Sequence, residues 1–134
     1  MSAPKSLEKS ILAYFLGSPV MLPEIEGRFY YARAKQDPAG DYVTFYTISQ
    51  ETLSTHSGHS NVWVKTLQFS LFSRRPDRAA VLADKLYCLL DGLSGVIGEV
   101  SIGASWLVER NEFFEEDTEL HAQVLRFRIH YSPA

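Results

Sequence analysis

The sequence predicts an α+β fold, a mostly antiparallel sheet packed by two helices, in the order α-β-β-β-α-β-β. Three observations support it: an alternating strand over residues 62–72, a helical pattern over residues 78–91, and a second alternating strand over residues 120–131. Because the helices do not alternate with every strand, a sheet covered on one face is expected. A chain of 134 residues can bury a full core, so residues 1–134 are expected to form one domain.

The first half of the chain predicts one helix and two strands. Apolar residues recur at helical spacing over residues 5–16, which predicts the first helix. Two aromatic-rich segments, residues 28–34 and 42–50, flank turn-forming residues at 37–40. This pattern predicts a β-hairpin. The polar stretch at residues 51–61, rich in Ser and Thr, then predicts an exposed loop.

The strand at residues 62–72 alternates between apolar and uncharged polar positions. One side carries Trp63, Leu67, Phe69 and Leu71, and the other carries Thr66, Gln68 and Ser70. Since side chains alternate across a strand, one set is expected to face the core and the other to form a polar face without charge.

The helix predicted over residues 78–91 is bounded at both ends. Pro76 ends the preceding strand, and Asp77 is the expected N-cap. Gly92 stands where a helix end favours a left-handed residue. Cys88, the single cysteine, lies on this leucine-rich helix and is expected to be a small buried core residue.

The remainder predicts two more strands. A link punctuated by Gly at residues 93–98 leads to a strand at 101–109, and an acidic turn at 112–119 leads to the last strand.

Composition excludes several classes of protein. The net charge of −3 and pI near 5.8 provide no broad basic surface of the kind nucleic-acid binders carry. A single cysteine cannot form an intrachain disulfide, which suits a reducing cytosol. The sequence shows neither a signal peptide nor an apolar run long enough for a membrane span, so a soluble protein without membrane contact is expected.

His56 and His59 lie three residues apart in the predicted loop. Two histidines can bind a divalent metal when a carboxylate or further ligands complete the site. No cysteine and no second pair of ligands lie nearby in the sequence, so we expect a solvated polar loop and no metal or other cofactor. Nucleophile triads and phosphate-binding loops are also missing from the sequence, so no enzymatic activity is expected.

Two charged groups could contact partners. Glu115, Glu116 and Asp117 lack the spacing of a calcium loop, and they are expected to form a solvated hairpin tip or an electrostatic contact with a partner. Arg126, Arg128 and His130 lie on one side of the last strand. Such a row is typical of a hydrated sheet face, and facing DNA is the alternative role, although phosphate tracks generally need more cations.

The order of these segments also resembles a known family. A short N-terminal helix is followed by Gly27-Arg28-Phe29-Tyr30, an extended segment at 42–49, a Ser/Thr/His loop, a strand at 64–73, a helix at 79–90 and a closing strand at 124–131. This succession resembles the tail-completion (tail terminator) proteins of long-tailed phages and phage-like particles. The likeness covers residues 5–131.

The resemblance implies a structural virion protein without catalytic activity. It implies a homo-oligomeric ring, expected to be a hexamer, that caps the tail tube and contacts the head-tail connector protein. DNA would only pass through the ring. The expected location is the head-proximal end of the tail, after assembly in the bacterial host cytoplasm.

We predict that the segments at 51–61 and 112–119 carry the contacts to neighbouring subunits, tube or connector, since functional contacts concentrate on loops. His56 and His59 lie in the first segment, and the acidic trio lies in the second.

Two other classes remain open on the sequence. The first is a small-ligand-binding α+β module or enzyme, whose pocket would be lined by Tyr30, Tyr31, Tyr46 and Trp106. The second is an RNA-binding sheet with stacked aromatics, which the acidic balance disfavours.

Overall fold

The computed structural model describes residues 3–17, 23–32, 40–55 and 58–134. Within these residues the chain forms two α-helices and one six-stranded sheet. The elements are α1 (Ala3–Gly17), β1 (Phe29–Tyr31), β2 (Tyr42–Thr55), β3 (Gly58–Ser73), α2 (Pro76–Leu90), β4 (Gly95–Ile97), β5 (Val100–Glu115) and β6 (Leu120–Pro133). A short 3₁₀ turn at Pro23–Ile25 precedes β1. The predicted α+β class is confirmed, with β4 as one strand more than expected in the link at 93–98.

The strand order across the sheet is β1-β2-β3-β6-β5-β4. All neighbours are antiparallel except β1 and β2, which pair in parallel with Phe29 opposite Val43. The sheet is therefore mixed, and the predicted hairpin between these two segments is wrong. The aromatic composition indicated strands but not their direction. The ring of Phe29 is buried and stacks 4.6 Å from Phe15 of α1, a contact with a distant element that short-range turn signals do not report.

The predicted loop at residues 51–61 is also wrong, because β2 continues to Thr55 and β3 begins at Gly58. Thr has a high β propensity, so polar composition did not prevent strand formation here. The pairing of β3 with β6 starts only at Trp63. Before this point, Gly58 and His59 pair with Thr55 and Ser54 of β2. We call residues 53–55 and 58–62, at this end of the two strands, the arm.

The core lies between the helices and one face of the sheet. Buried apolar residues of the sheet include Leu67, Phe69, Leu71, Leu125, Phe127 and Ile129, and those of the helices include Leu7, Ile11, Phe15, Leu82, Leu86 and Leu90. The predicted alternation of β3 and β6 and the stripes of both helices are confirmed. We call the opposite side of the sheet the outer face.

Two predictions on α2 need correction. The N-cap is Arg75 in extended conformation, not Asp77, because Pro76 with its fixed φ begins the helix. Asp77 instead accepts hydrogen bonds from Arg75 Nε and Nη2 at 3.2 and 2.8 Å. Cys88 is exposed rather than buried, since the stripe that faces the sheet includes Leu86 and Leu90 and leaves the intervening position outside. Gly92 has the expected positive φ of 77°.

Candidate functional surface

A row of hydrogen-bonded side chains crosses four strands on the outer face. Arg126 Nε donates to Gln68 Oε1 at 3.0 Å, and Gln68 Nε2 donates to the hydroxyl of Tyr46 at 2.8 Å. On the other side, Arg126 Nη1 lies 3.3 Å from Glu109 Oε1. The row thus connects β2, β3, β6 and β5 and fixes the positions of long side chains at the surface.

A second ion pair lies beside this row. Arg128 Nη2 donates to Glu51 Oε2 at 2.7 Å, and the ring of Trp106 lies 5.0 Å from that of His130. The two arginines proposed to face DNA are therefore each paired with a carboxylate. This neutral arrangement favours the hydrated sheet face, and a contact with DNA stays a prediction. Both carboxylate partners went unrecognised in the sequence, because cross-strand pairing depends on register.

The predicted acidic turn is shorter than expected, since β5 extends to Glu115 and only residues 116–119 form the turn. Glu115, Glu116 and Asp117 are all exposed, as are the preceding Phe113 and Phe114. The two adjacent exposed phenylalanines beside the acidic turn were not predicted from the sequence.

The Glu115 carboxylate also has an electrostatic effect on another strand. Burial raises the pKa of Tyr42, and the Glu115 charge raises it further. Tyr42 begins β2 and Glu115 ends β5, two strands that are not neighbours in the sheet.

The two predicted contact segments lie at opposite ends of the sheet. The arm extends from the end where Trp63 pairs with Tyr131, whereas the acidic turn adjoins the end where Ser73 pairs with His121. His56 lies outside the described residues, and the backbone of His59 lies in the arm. The structure thus separates these segments by the length of the sheet instead of joining them in one site.

A buried ion pair connects α1 to the helix-covered face of the sheet. Lys65 Nζ donates to Glu8 Oε2, which also accepts a hydrogen bond of 2.5 Å from Thr47 Oγ1. Lys65 is 1% exposed. Burial lowers the pKa of Lys65, and its hydrogen bond and ion pair with Glu8 oppose this shift. Burial and then the Glu8 charge raise the pKa of Tyr131.

This pair was missed although a signal existed. Lys65 occupies an apolar-face position between Trp63 and Leu67, and Glu8 lies beside Leu7 on the first helix. A charge at a core position on each of two facing elements is the pattern that would have indicated a pair.

The alternative of a ligand pocket receives no support from the aromatic residues proposed for it. Tyr30 and Tyr31 contact Tyr42 and Phe45 at one edge of the sheet, with ring centroids 6.4 and 5.2 Å apart. Trp106 lies on β5, with β2, β3 and β6 between it and β1. The proposed lining residues are therefore not brought together.

In the described ranges, no group of three or more His, Cys, Asp or Glu residues could hold a metal ion. None of the helices described is both long and apolar enough to cross a membrane.

The fold is similar to that of a protein in a phage-like particle of known structure. The chain is similar to a chain in a solved structure, "Virion of native gene transfer agent (GTA) particle", with 16% sequence identity and a TM-score of 0.64. The match covers 98% of this chain and 95% of that chain, so the whole fold is shared. No curated protein sequence matches.

A family model assigns the chain more narrowly. The model described as "Tail completion protein gp17" matches residues 9–132. The chain therefore belongs to the tail completion protein gp17 family, as its resemblance suggested. It is a structural tail protein.

Proposed function

We propose that the chain assembles as a hexameric ring that caps the finished tail tube and joins it to the head-tail connector. The observation that carries this proposal is the family match over residues 9–132. The ring would occupy the head-proximal end of the tail, after assembly in the host cytoplasm. No catalytic step, metal or cofactor is needed for this role.

The placement of the two contact segments supports the proposal. A protein that joins a tube to a connector needs two separate contact surfaces. The arm and the acidic turn lie at opposite ends of the sheet, so each can meet a different neighbour along the tail axis. Their polar and acidic character suits contacts that form rapidly through charge complementarity.

The outer face is compatible with DNA passing through the ring. Arg126 and Arg128 are each paired with a carboxylate, at 3.3 and 2.7 Å. Since affinity for a DNA backbone grows with the number of phosphates that free cations neutralise, this face would not hold DNA in place.

The acidic turn provides the direct test. Changing Glu115, Glu116 and Asp117 together to Ser should leave the free energy of unfolding nearly unchanged, because exposed charges contribute little. Completion of tails and their joining to heads should fall instead, most strongly at low ionic strength, where unscreened charges act over the longest range. Particle yield and electron microscopy of tail ends would measure the effect.

A matched control removes the same charge elsewhere. The variant with Glu26, Asp84 and Glu99 changed to Ser loses three exposed acids outside the turn, and it should complete tails normally. If the turn variant also completed tails at the wild-type yield at every salt concentration, the acidic turn would have no role in joining.

A further inference from the structure

The two outermost long strands of the sheet each carry a bulge at the same height. In β2 the register shifts between Thr47 and Ser49, which leaves Ile48 as the extra residue, and in β5 it shifts between Leu107 and Glu109, which leaves Val108. The cross-strand pairs place Thr47 and Leu107 in one row, through Leu67 and Phe127. The two bulges therefore lie level with each other on opposite sides of the sheet.

Both bulged residues are large, apolar and exposed. Ile48 is 40% and Val108 is 56% exposed. An exposed aromatic precedes each by two positions, Tyr46 in β2 and Trp106 in β5. Each side of the sheet thus presents an exposed aliphatic side chain at the level of its bulge and an aromatic one nearby, and aromatic residues are enriched in protein interfaces. Tyr46 lies level with Glu109, and Trp106 lies level with Ser49, so the two aromatics flank the bulges in opposite directions along the sheet.

Each bulge also lies where neighbouring parts of the chain stop covering the outer side of its strand. On one side, β1 pairs with β2 only as far as Phe45. On the other, the turn after α2 covers β5 as far as Leu107, whose N–H donates to Asp91 Oδ1 at 3.1 Å. In the described part of the chain, Ile48 and Val108 both lie just past the covered stretches of their strands.

We propose that Ile48 of one copy packs against Val108 of the next copy, and that this contact links neighbouring subunits of the ring. The inference rests on the ring in the proposed function. Because β2-β3, β3-β6 and β6-β5 are all antiparallel, β2 and β5 run in opposite directions. Two copies side by side in the same orientation therefore meet through antiparallel strands.

The contact joins two different surfaces, so it is heterologous, and heterologous contacts close into rings when the rotation per copy allows. Equal height on the two sides keeps successive copies in one plane instead of a rising spiral. Bulges interrupt the ladder of an edge strand and limit open-ended strand pairing. The contact is accordingly made by side chains and not by a continuous intermolecular sheet.

Charge substitution tests the contact in the full chain. Ile48→Lys and Val108→Lys should each shift the concentration at which oligomers form by at least tenfold in analytical ultracentrifugation. Val81→Lys is the matched control, since Val81 is 49% exposed on α2 and lies outside both sides of the sheet, and it should assemble as the wild type does. The pair Ile48→Glu with Val108→Lys in one chain should restore assembly, because each joint would then hold opposite charges.

Disulfide trapping tests the geometry independently. Cys88 is exposed and is first changed to Ser. In that background, Ile48→Cys with Val108→Cys should give covalent multimers on oxidation, in solution or in assembled particles, whereas neither single variant should.

Dimers from a single-cysteine variant would indicate a symmetric contact and overturn the proposal. Normal assembly of both lysine variants would also overturn the proposal. The absence of covalent multimers from the double-cysteine variant, both in solution and in assembled particles, would overturn it as well. Tails that are capped normally by rings of Val108→Lys would refute this contact and leave the proposed function standing. Rings trapped through this contact that fail to bind tubes would refute the function alone.

Discussion

Glu8→Gln should strongly destabilise the protein, because it removes the carboxylate that compensates a buried lysine. Gln has nearly the same shape as Glu, and its amide oxygen can still accept the hydrogen bond from Thr47 Oγ1. The change is therefore mainly the loss of a charge opposite Lys65, which is 1% exposed. Breaking a buried ion pair by removing one partner costs about 3–5 kcal/mol.

The loss should depend on pH in a defined direction. Burial lowers the pKa of Lys65, and the hydrogen bond and charge of Glu8 raise it. Without Glu8, the lysine pKa in the folded protein falls further below its ordinary value of 10.5. Between those two values the unfolded chain binds more protons, so the free energy of unfolding rises with pH. The destabilisation of Glu8→Gln should be largest near neutral pH and shrink as pH approaches 10.5.

The assay is urea unfolding followed by circular dichroism across a pH series. Lys9→Gln is the control, since Lys9 is the next residue of α1 and its pair with Glu99 is exposed, with N and O 3.6 Å apart. That change should cost about 0.2–1 kcal/mol. The double variant Glu8→Leu with Lys65→Met replaces the pair by apolar groups and should recover most of the loss.

A Glu8→Gln variant that lost less than about 1 kcal/mol would refute this reasoning, because that is the range of an exposed pair. A double variant as unstable as the single variant would refute the part of the argument that attributes the loss to an uncompensated charge.

Two further predictions concern packing and backbone conformation. Leu86→Ala should cost about 2–5 kcal/mol because Leu86 is fully buried, whereas Val81→Ala, at an exposed position of the same helix, should change the melting temperature little. Gly98→Ala should destabilise more than Gly92→Ala: both glycines have positive φ, but only at Gly98 would a Cβ lie 2.7 Å from Ser10 Oγ. Equal losses at the two glycines in denaturant unfolding would exclude a role for that close approach.

The elements that the sequence predicts well are those whose pattern is local. The alternation in β3 and β6 and the helical stripe of α2 place Phe69, Phe127 and Leu86 in the core, as the structure confirms. Period and burial are coupled within a single element, so no knowledge of its neighbours is needed.

The features that the sequence did not predict depend on other parts of the chain. Phe29 of the parallel strand β1 stacks on Phe15 of α1, a contact with a distant part of the chain. The pairing of Arg128 with Glu51 depends on the register of three strands. The polar composition of residues 51–61 did not indicate that the backbone would stay extended through Thr55 and again from Gly58. The level bulges at Ile48 and Val108 could not be read from sequence, because a bulge is defined by its partner strand.

The middle of the sheet consists of two hairpins joined side by side. β2 with β3 and β5 with β6 are each neighbours in sequence, but the pairing of β3 with β6 joins residues as distant as Trp63 and Tyr131. Contacts between such distant residues form late in folding because closing a long loop costs entropy. During translation, the surfaces of α1, α2 and β3 that contact β6 would therefore stay uncovered until β6 had left the ribosome.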